Sequence, residues 1–331
     1  MSTCARILQR LFSNKRSLLG IHPEREYSSK QKPLASGNNF CMRQTCHKEL
    51  EVGMKRRYYH ASSSLMSSSV SQSEISKFSK LSSTWWDPNH NPLVAMNPVR
   101  VEFVVDHVTR NLLRQRRGLE SDANLQGSDL PLAALDVLDV GCGGGLLAES
   151  MARLGGKVTA IDPSTALIDQ AMRHAQLNPV TQSIDYRGGW TVEQLADEQR
   201  PPTFDVICLS EVIEHVTDMD SVLEAAASLL KKPNGLLFVS TLNRTIKSKL
   251  LAIVGAEYIT GWVPQGTHDW NQFRSPSEFQ GLVCRVDLEQ MDVNGMVVEI
   301  PPLLTGKWKW SLNPVDTDMN WIGVYRHASK E

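Results

Sequence analysis

The sequence predicts an α/β fold: a doubly wound, mainly parallel sheet of seven strands, with helices before the sheet and a helical insert after its fifth strand. Two observations predict it. Short β-branched runs alternate with helical stretches through the middle of the chain, as in parallel strands joined by crossover helices. A glycine turn follows the first of these runs. Ligands of such sheets bind beyond the carboxyl ends of the strands, so the residues that follow each strand are the functional candidates.

Hydrophobic spacing gives the elements in chain order. Two helices are predicted first, over about 73–84 and 98–116. Short apolar runs then predict seven strands, at 135–140, 157–161, 183–187, 204–209, 235–240, 297–300 and 321–325. The intervening helices are predicted at 146–154, 164–177, 192–196 and 219–230. We expect the last two strands to close the sheet as an antiparallel pair.

Charge is distributed unevenly along the 331 residues. The chain has a net charge of −1, yet residues 1–60 hold 12 Lys/Arg and 4 Asp/Glu, which leaves −9 on the remainder. This acid-poor, Arg-bearing and Ser-bearing start alternates basic with apolar residues, and that composition predicts a mitochondrial transit peptide over 1–60. A disordered basic tail is the alternative. The Ser-rich stretch 61–73 is predicted to be a linker, and 74–331 to be one folded domain with an insert at 244–276.

Composition also excludes several classes of protein. No apolar stretch approaches ~18 residues without charge, so no transmembrane helix is predicted. The six cysteines form no C-x-x-C pair, which excludes a zinc ribbon and a dithiol site of that type.

The turn after the first strand indicates the class of ligand. It reads DVGCGGG at 139–145 and is followed by Leu146, where a dinucleotide fingerprint would have glycine. No G-K-[ST] follows, which excludes a P-loop. Glycines such as Gly141 and Gly143 let a ligand approach the backbone. Asp139 would repel a phosphate but suits a cationic ligand such as S-adenosylmethionine.

A second acidic residue, Asp162, ends the second strand, where a carboxylate can accept hydrogen bonds from ribose hydroxyls. Together with the glycine turn it predicts S-adenosylmethionine as the cofactor. A glycine-rich turn in some other α/β protein is the alternative.

A second constellation, Glu211, Glu214 and His215, follows the fourth strand. If the segment is helical, these residues share one face. Two carboxylates and an imidazole then suit Mg²⁺ or Mn²⁺, although a solvated acidic helix start would look the same. A divalent cation bound by both oxygens of a catechol would lower the pKa of the hydroxyl, which otherwise lies near 10 as in tyrosine. The pattern therefore predicts metal-assisted O-methylation of a vicinal diol.

Several longer motifs resemble one family. From about residue 74 to the end, the chain is similar to the mitochondrial ubiquinone biosynthesis O-methyltransferases. The resemblance rests on WWD at 85–87, NPVR at 97–100, VLDVGCGGGLLAESMA at 137–152, EVIEHV at 211–216, STLNR at 240–244, VGAEYI at 254–259 and GTHD at 266–269. It implies a class I S-adenosylmethionine-dependent fold and transfer of a methyl group to polyprenylated catechols, namely 3,4-dihydroxy-5-polyprenylbenzoate and demethylubiquinol.

The resemblance also implies roles for individual residues. Contacts with S-adenosylmethionine fall to Arg100, Gly141, Asp162 and Ser210, while Glu211, Glu214 and His215 hold Mg²⁺. We expect Arg100 to reach the donor's carboxylate; a charge on the helix surface is the alternative. The resemblance further implies peripheral attachment to the matrix face of the mitochondrial inner membrane, within a multi-subunit biosynthetic complex.

The insert after the fifth strand bears on substrate access. It combines Lys247 and Lys249 with a mostly apolar run, a pattern shared by in-plane membrane helices and by ordinary lid helices. His268 follows this run. It is a candidate for the proton acceptor from the catechol or for a further metal ligand, with a structural histidine as the alternative.

Two other functions remain open at this point. A small-RNA terminal 2′-O-methyltransferase would also combine a glycine turn with E-V-I-E-H, since a terminal ribose is a vicinal diol. The −9 charge beyond residue 60 disfavours nucleic acid as a partner, because RNA binding needs a basic surface. A non-catalytic scaffold of the biosynthetic complex is the other alternative, against which the intact motifs argue.

Overall fold

A computed structural model describes residues 69–113, 130–199, 202–249, 269–300 and 309–329. The predicted transit peptide, most of the predicted linker and the insert residues 250–268, His268 among them, lie outside these ranges. No helix in the described ranges is long and apolar enough to cross a membrane.

The described residues form one mixed sheet with helices packed against it. Its strands are β1 (Asp136–Val140), β2 (Lys157–Asp162), β3 (Asp185–Gly188), β4 (Val206–Ser210), β5 (Leu236–Leu242), β6 (Leu288–Ile300), β7 (Lys309–Asn313) and β8 (Asn320–His327). The helices are α1 (Gln72–Ser79), α2 (Pro92–Val108), α3 (Leu146–Arg153), α4 (Thr165–Ala175), α5 (Val192–Glu198), α6 (Met219–Leu229), the single turn α7 (Ile246–Ser248) and α8 (Pro276–Val283).

The first five strands confirm the doubly wound prediction. The sheet order is β3-β2-β1-β4-β5-β8-β6-β7, and β1 to β5 are all parallel. Every residue of β5 is buried, because helices cover both faces of a parallel sheet and leave its central strands no solvated side. The order reverses beside β1, so the loops after β1 and β4 meet at the switch point where such sheets bind ligands.

The far edge of the sheet differs from the prediction in its strand count. The sequence predicted seven strands, and the structure has eight, because Lys309–Asn313 forms a further antiparallel strand, β7, against β6. The strand predicted at 297–300 is the end of the much longer β6, which lies between β8 and β7. Polar residues along β6, such as Glu289 and Asp292, interrupt the apolar run by which a strand is recognised.

The N-terminal segment crosses the carboxyl edge of the sheet. Val70 forms an isolated antiparallel bridge with Val216, beyond β4. Helix α1 follows and begins at Gln72, one residue before the predicted start, with Ser71 as its N-cap. A 3-10 turn, Ser82–Thr84, then leads to Trp85, a buried residue that is 8% exposed. This segment therefore forms a wall above the switch point.

Candidate active site

One cavity of about 260 Å³ opens at the carboxyl edge of the sheet. Its lining includes all nine of the predicted site residues that the structure describes: Arg100, Asp139, Gly141, Gly143, Asp162, Ser210, Glu211, Glu214 and His215. The structure thus brings the predicted donor residues and the predicted metal ligands to one place. The role of each residue stays a prediction.

The glycine turn has a backbone that side chains rarely adopt. Gly141 and Gly143 have φ of +65° and +55°, in the left-handed region that favours glycine. A Cβ atom on Gly143 would lie 2.1 Å from Cζ2 of Trp85. Glycine is required there both by backbone conformation and by the indole ring packed on the turn. The sequence explained the glycines by ligand approach alone and missed the tryptophan.

The two aspartates of the predicted donor site are buried but differ in their partners. Asp162 accepts hydrogen bonds from the backbone N–H groups of Gly143 (2.9 Å) and Ser164 (2.7 Å), and burial nevertheless raises its pKa to about 6. Oδ2 of Asp139 has no hydrogen-bond partner among the described residues. Burial raises the pKa of Asp139 to about 7, although the charge of Arg100 opposes the shift. A buried carboxyl with one oxygen left without a partner suits a cationic ligand.

Arg100 lies inside the protein, and the alternative of a charge on the helix surface is wrong. It is 4% exposed and comes from the middle of α2. Burial lowers the pKa of Arg100, and the carboxylates of Glu211, Asp139 and Glu214 oppose that shift. Its Nε has no hydrogen-bond partner among the residues in the described ranges. A guanidinium so placed can still donate to an anionic group of a ligand.

The expectation that Glu211, Glu214 and His215 share one face of a helix is wrong, because the acidic loop after β4 does not form an α-helix. Only Ile213–His215 forms a 3-10 turn, and Glu211 precedes it with a φ of +55°. The two glutamates are held instead by β5. Ser240 Oγ donates to Glu211 at 2.7 Å, and Thr241 Oγ1 donates to Glu214 at 2.8 Å. The STLNR motif therefore supplies the hydroxyls that position the acidic pair, a role that the sequence did not reveal.

The acidic pair carries an electrostatic cost. Glu214 is 4% exposed. Burial, and after it the negative charge of Glu211, hold the pKa of Glu214 well above its usual range. Two carboxyl groups that share a buried site cannot both ionise cheaply. A backbone hydrogen bond, the hydrogen bond from Thr241 and, after them, the positive charge of Arg100 oppose this shift.

His215 faces the N-terminal segment. Its Nδ1 lies 2.9 Å from Oε2 of Glu74, on α1. Burial raises the pKa of Glu74, but hydrogen bonds from His215 and Lys77 outweigh it and lower that pKa to about 2. The edge of Phe78 also packs against the imidazole, with ring centroids 4.8 Å apart. Sequence periodicity predicted this helix but gave no sign that it reaches the site.

The three predicted metal ligands agree with a divalent cation in donor chemistry and in charge, since carboxylate oxygens and imidazole are ligands of Mg²⁺ and Mn²⁺. In the described part of the chain, however, no three His, Cys, Asp or Glu side chains converge as a metal-binding group. Each of the three has a different hydrogen-bond partner instead: Ser240 for Glu211, Thr241 for Glu214 and Glu74 for His215. The metal assignment accordingly stays a prediction.

Comparison with known proteins gives consistent matches. A family described as "Methyltransferase domain" matches residues 100–292. A ubiquinone biosynthesis O-methyltransferase of Pelagibacter ubique is 41% identical over 77% of this chain and 97% of its own length. Proteins of the same name from Azorhizobium caulinodans and Methylocella silvestris are 41% and 42% identical, each over 94% of its own length and over 78% and 77% of this chain. A solved magnesium protoporphyrin IX methyltransferase from Synechocystis with bound SAH has 17% identity and a TM-score of 0.44, over 68% of this chain and 82% of its own.

Proposed function

This chain belongs to the ubiquinone biosynthesis O-methyltransferase family, and on that premise we propose that it methylates a hydroxyl of polyprenylated catechols, 3,4-dihydroxy-5-polyprenylbenzoate and demethylubiquinol. The enzyme is an S-adenosylmethionine-dependent O-methyltransferase. The observation that carries the proposal is that the cavity of about 260 Å³ is lined both by the glycine turn and by the acidic loop, so a donor on one side can meet a phenolic acceptor on the other.

The reaction is an in-line displacement. A lone pair of the catechol oxygen forms a bond to the donor's methyl carbon while the bond from that carbon to the sulfonium sulfur breaks. S-adenosylhomocysteine leaves, and the hydroxyl proton passes to a base or to water. The reaction therefore needs a donor fixed in one orientation and an acceptor oxygen with raised electron density.

The donor's charges match the residues around the glycine turn. The sulfonium or ammonium group would offset the charge of Asp139, whose Oδ2 has no partner within the described ranges. Arg100 is available for the donor's carboxylate, and Asp162 retains acceptor capacity for ribose hydroxyls because each of its oxygens can accept more than one hydrogen bond. Together these contacts would fix the donor's amino-acid portion at one end and its ribose at the other.

We also propose Mg²⁺ assistance, with Glu211, Glu214 and His215 as the holding residues. The support is their donor chemistry together with the raised pKa of Glu214, which a nearby cation would relieve. When bound, Mg²⁺ would lower the pKa of a catechol hydroxyl. Removing divalent ions with a chelator should lower turnover and leave S-adenosylmethionine affinity unchanged; turnover that survives chelation would contradict metal assistance.

The substrate proposal has a direct assay. The full chain is incubated with S-adenosylmethionine and a short-chain prenylated catechol, and the methyl ether is measured by mass spectrometry. A matched prenylated phenol that lacks the second hydroxyl is the control. We expect product from the catechol and little from the phenol, whereas equal methylation of both would contradict recognition of a diol.

The RNA alternative has no support from the family assignment, and the scaffold alternative is wrong because the chain is an enzyme. A small RNA duplex should show no binding at low salt, given the charge of −9 beyond residue 60. Methylation of a terminal ribose in the same assay would restore the RNA alternative.

Location and partners are further parts of the proposal. We propose a mitochondrial enzyme, held peripherally on the matrix face of the inner membrane within a biosynthetic complex. The basic, acid-poor residues 1–60 support import. Fusion of 1–60 to a reporter should direct it to mitochondria, and washing membranes with alkaline carbonate should release the full enzyme. A reporter that stays in the cytosol would contradict the location.

A further inference from the structure

Helix α1 contacts the acidic loop through one long-range polar pair. Oε2 of Glu74 and Nδ1 of His215 lie 2.9 Å apart, although the residues are 141 positions apart in the sequence. Both side chains line the cavity. Both are also largely shielded from solvent, with side-chain exposures of 19% for Glu74 and 15% for His215. Because water has little access to this hydrogen bond, it does not compete well for either partner, and the bond can fix the orientation of the imidazole.

The chain on either side of this pair is tied to the same partner segment. Just before α1, Val70 bridges to Val216, the residue after His215. The backbone N–H of Thr217 donates to the carbonyl of Ser69 at 2.7 Å. Phe78, one helical turn beyond Glu74, packs its ring at 81° to the imidazole. These contacts keep α1 in register with the acidic loop, so the carboxylate of Glu74 meets the same ring nitrogen.

The chemistry of the pair defines the proton's position. A carboxylate can only accept hydrogen bonds, so Nδ1 of His215 must carry the proton. In a neutral imidazole the other nitrogen, Nε2, then holds the lone pair. Carboxylates that accept from one ring nitrogen are the common means of orienting both metal-binding and proton-accepting histidines. Without such a partner, either nitrogen could carry the proton.

We propose that Glu74 is the positioning residue of His215, holding Nδ1 as the donor so that Nε2 presents its lone pair to the acceptor side of the cavity. The inference rests on the proposed function, because that function places the catechol hydroxyls beside the acidic loop. In this state Nε2 can ligate a cation or accept a hydrogen bond from a hydroxyl. Both uses need the lone pair on Nε2, and Glu74 keeps that nitrogen unprotonated by holding the proton on Nδ1.

Kinetics of the full chain test the inference. In Glu74→Ala, kcat with the prenylated catechol should fall on the order of 10–100-fold, while the Kd for S-adenosylmethionine stays unchanged. The double variant Glu74→Ala/His215→Ala should be no slower than His215→Ala, because the two residues act as one unit. The matched control is Ser79→Ala. Ser79 anchors the other end of α1 through a 2.7 Å hydrogen bond with Ser164, and its variant should keep the wild-type kcat.

A spectroscopic measurement separates this inference from the proposed function, since it needs no acceptor. In protein labelled with ¹⁵N-histidine, the His215 resonances are assigned by their loss in His215→Gln. We expect Nδ1 protonated and Nε2 unprotonated in the wild type, and a shift of the proton toward Nε2 in Glu74→Ala.

Two results would overturn the role of Glu74: an unchanged ¹⁵N pattern in Glu74→Ala, or an equal loss of kcat in Glu74→Ala and Ser79→Ala, which would indicate helix docking alone. A wild-type enzyme that fails to methylate the catechol, yet shows the expected proton shift in Glu74→Ala, would contradict the proposed function and leave the role of Glu74 in place.

Discussion

The loops that follow β1 and β4 line one cavity, yet they are held in place by different means. The loop after β1 owes its shape to its own backbone, with positive φ angles at its glycines, and Asp162 and Trp85 then contact it from β2 and from the N-terminal segment. The acidic loop after β4 depends on side chains that are distant in sequence, namely Ser240, Thr241 and Glu74. The shape of the glycine turn is thus set mainly by local backbone geometry, whereas the acidic residues are positioned by side chains that are distant in sequence.

The largest effect is expected from a substitution in the loop after β1. Gly143→Ala would place a methyl group 2.1 Å from Trp85 at a φ of +55°. We expect a loss of stability of about 1–3 kcal/mol and a large rise in the Kd for S-adenosylmethionine, measured by urea unfolding and by calorimetric titration. Gly281→Ala is the matched control, because its added methyl meets nothing within 4 Å on α8; it should stabilise by roughly 0.5–1 kcal/mol. Equal behaviour of the two variants would contradict the packing of Trp85 on the turn.

The next largest effect is expected in the acidic loop after β4, which is positioned by side chains distant in sequence. Thr241→Val keeps the shape of the side chain and removes the hydroxyl that donates to Glu214. Because a buried acceptor is left without its partner, we expect a loss of about 1–3 kcal/mol and a fall in kcat, with donor affinity unchanged. Thr241→Ser, which keeps the hydroxyl, should show only a small loss of stability and a small fall in kcat. A fall in donor affinity in place of kcat would show that the two loops are not separable.

A pH measurement sharpens the comparison on the donor side. Asp139 has a pKa of about 7 in the free protein, so it is mostly neutral at pH 5.5, and a cationic donor gains from its ionised form. The Kd for S-adenosylmethionine should therefore fall as pH rises toward 7 and level off above it. Titrations between pH 5.5 and 7.5, where most of the donor's ammonium keeps its proton, give the profile. Asp139→Asn should bind weakly and without this slope, and a Kd that rises with pH in the wild type would contradict the role.

The smallest expected effect concerns the wall that joins the two loops. Ser71 caps α1 by accepting from the backbone N–H of Glu74. Ser71→Ala should cost about 1 kcal/mol of helix stability, detectable as faster amide exchange in α1, with little change in global unfolding. Exchange in β1 should not change. Protection that falls equally in α1 and β1 would show that α1 is part of the core and not a separate wall.

The same contrast explains what the sequence could and could not predict. The five parallel strands, the glycine turn and the acidic residues follow local patterns of apolar runs, glycines and carboxylates, and their convergence follows from the rule for switch points. The contacts of Trp85 with the turn, of Thr241 with Glu214 and of Glu74 with His215 join segments that only the folded chain brings together, and no local pattern encodes them. Strand β7 was missed because its own five residues, KWSLN, mix polar with apolar side chains and form no apolar run.

The most direct test of the account is a single turnover. The enzyme is loaded with one equivalent of S-adenosylmethionine labelled in its methyl group and is then mixed with an excess of prenylated catechol. The account predicts that the label appears in the methyl ether of the catechol, with one S-adenosylhomocysteine formed for each ether. Label that stays on a tightly bound donor while the catechol is present would contradict the claim that one cavity brings the two together.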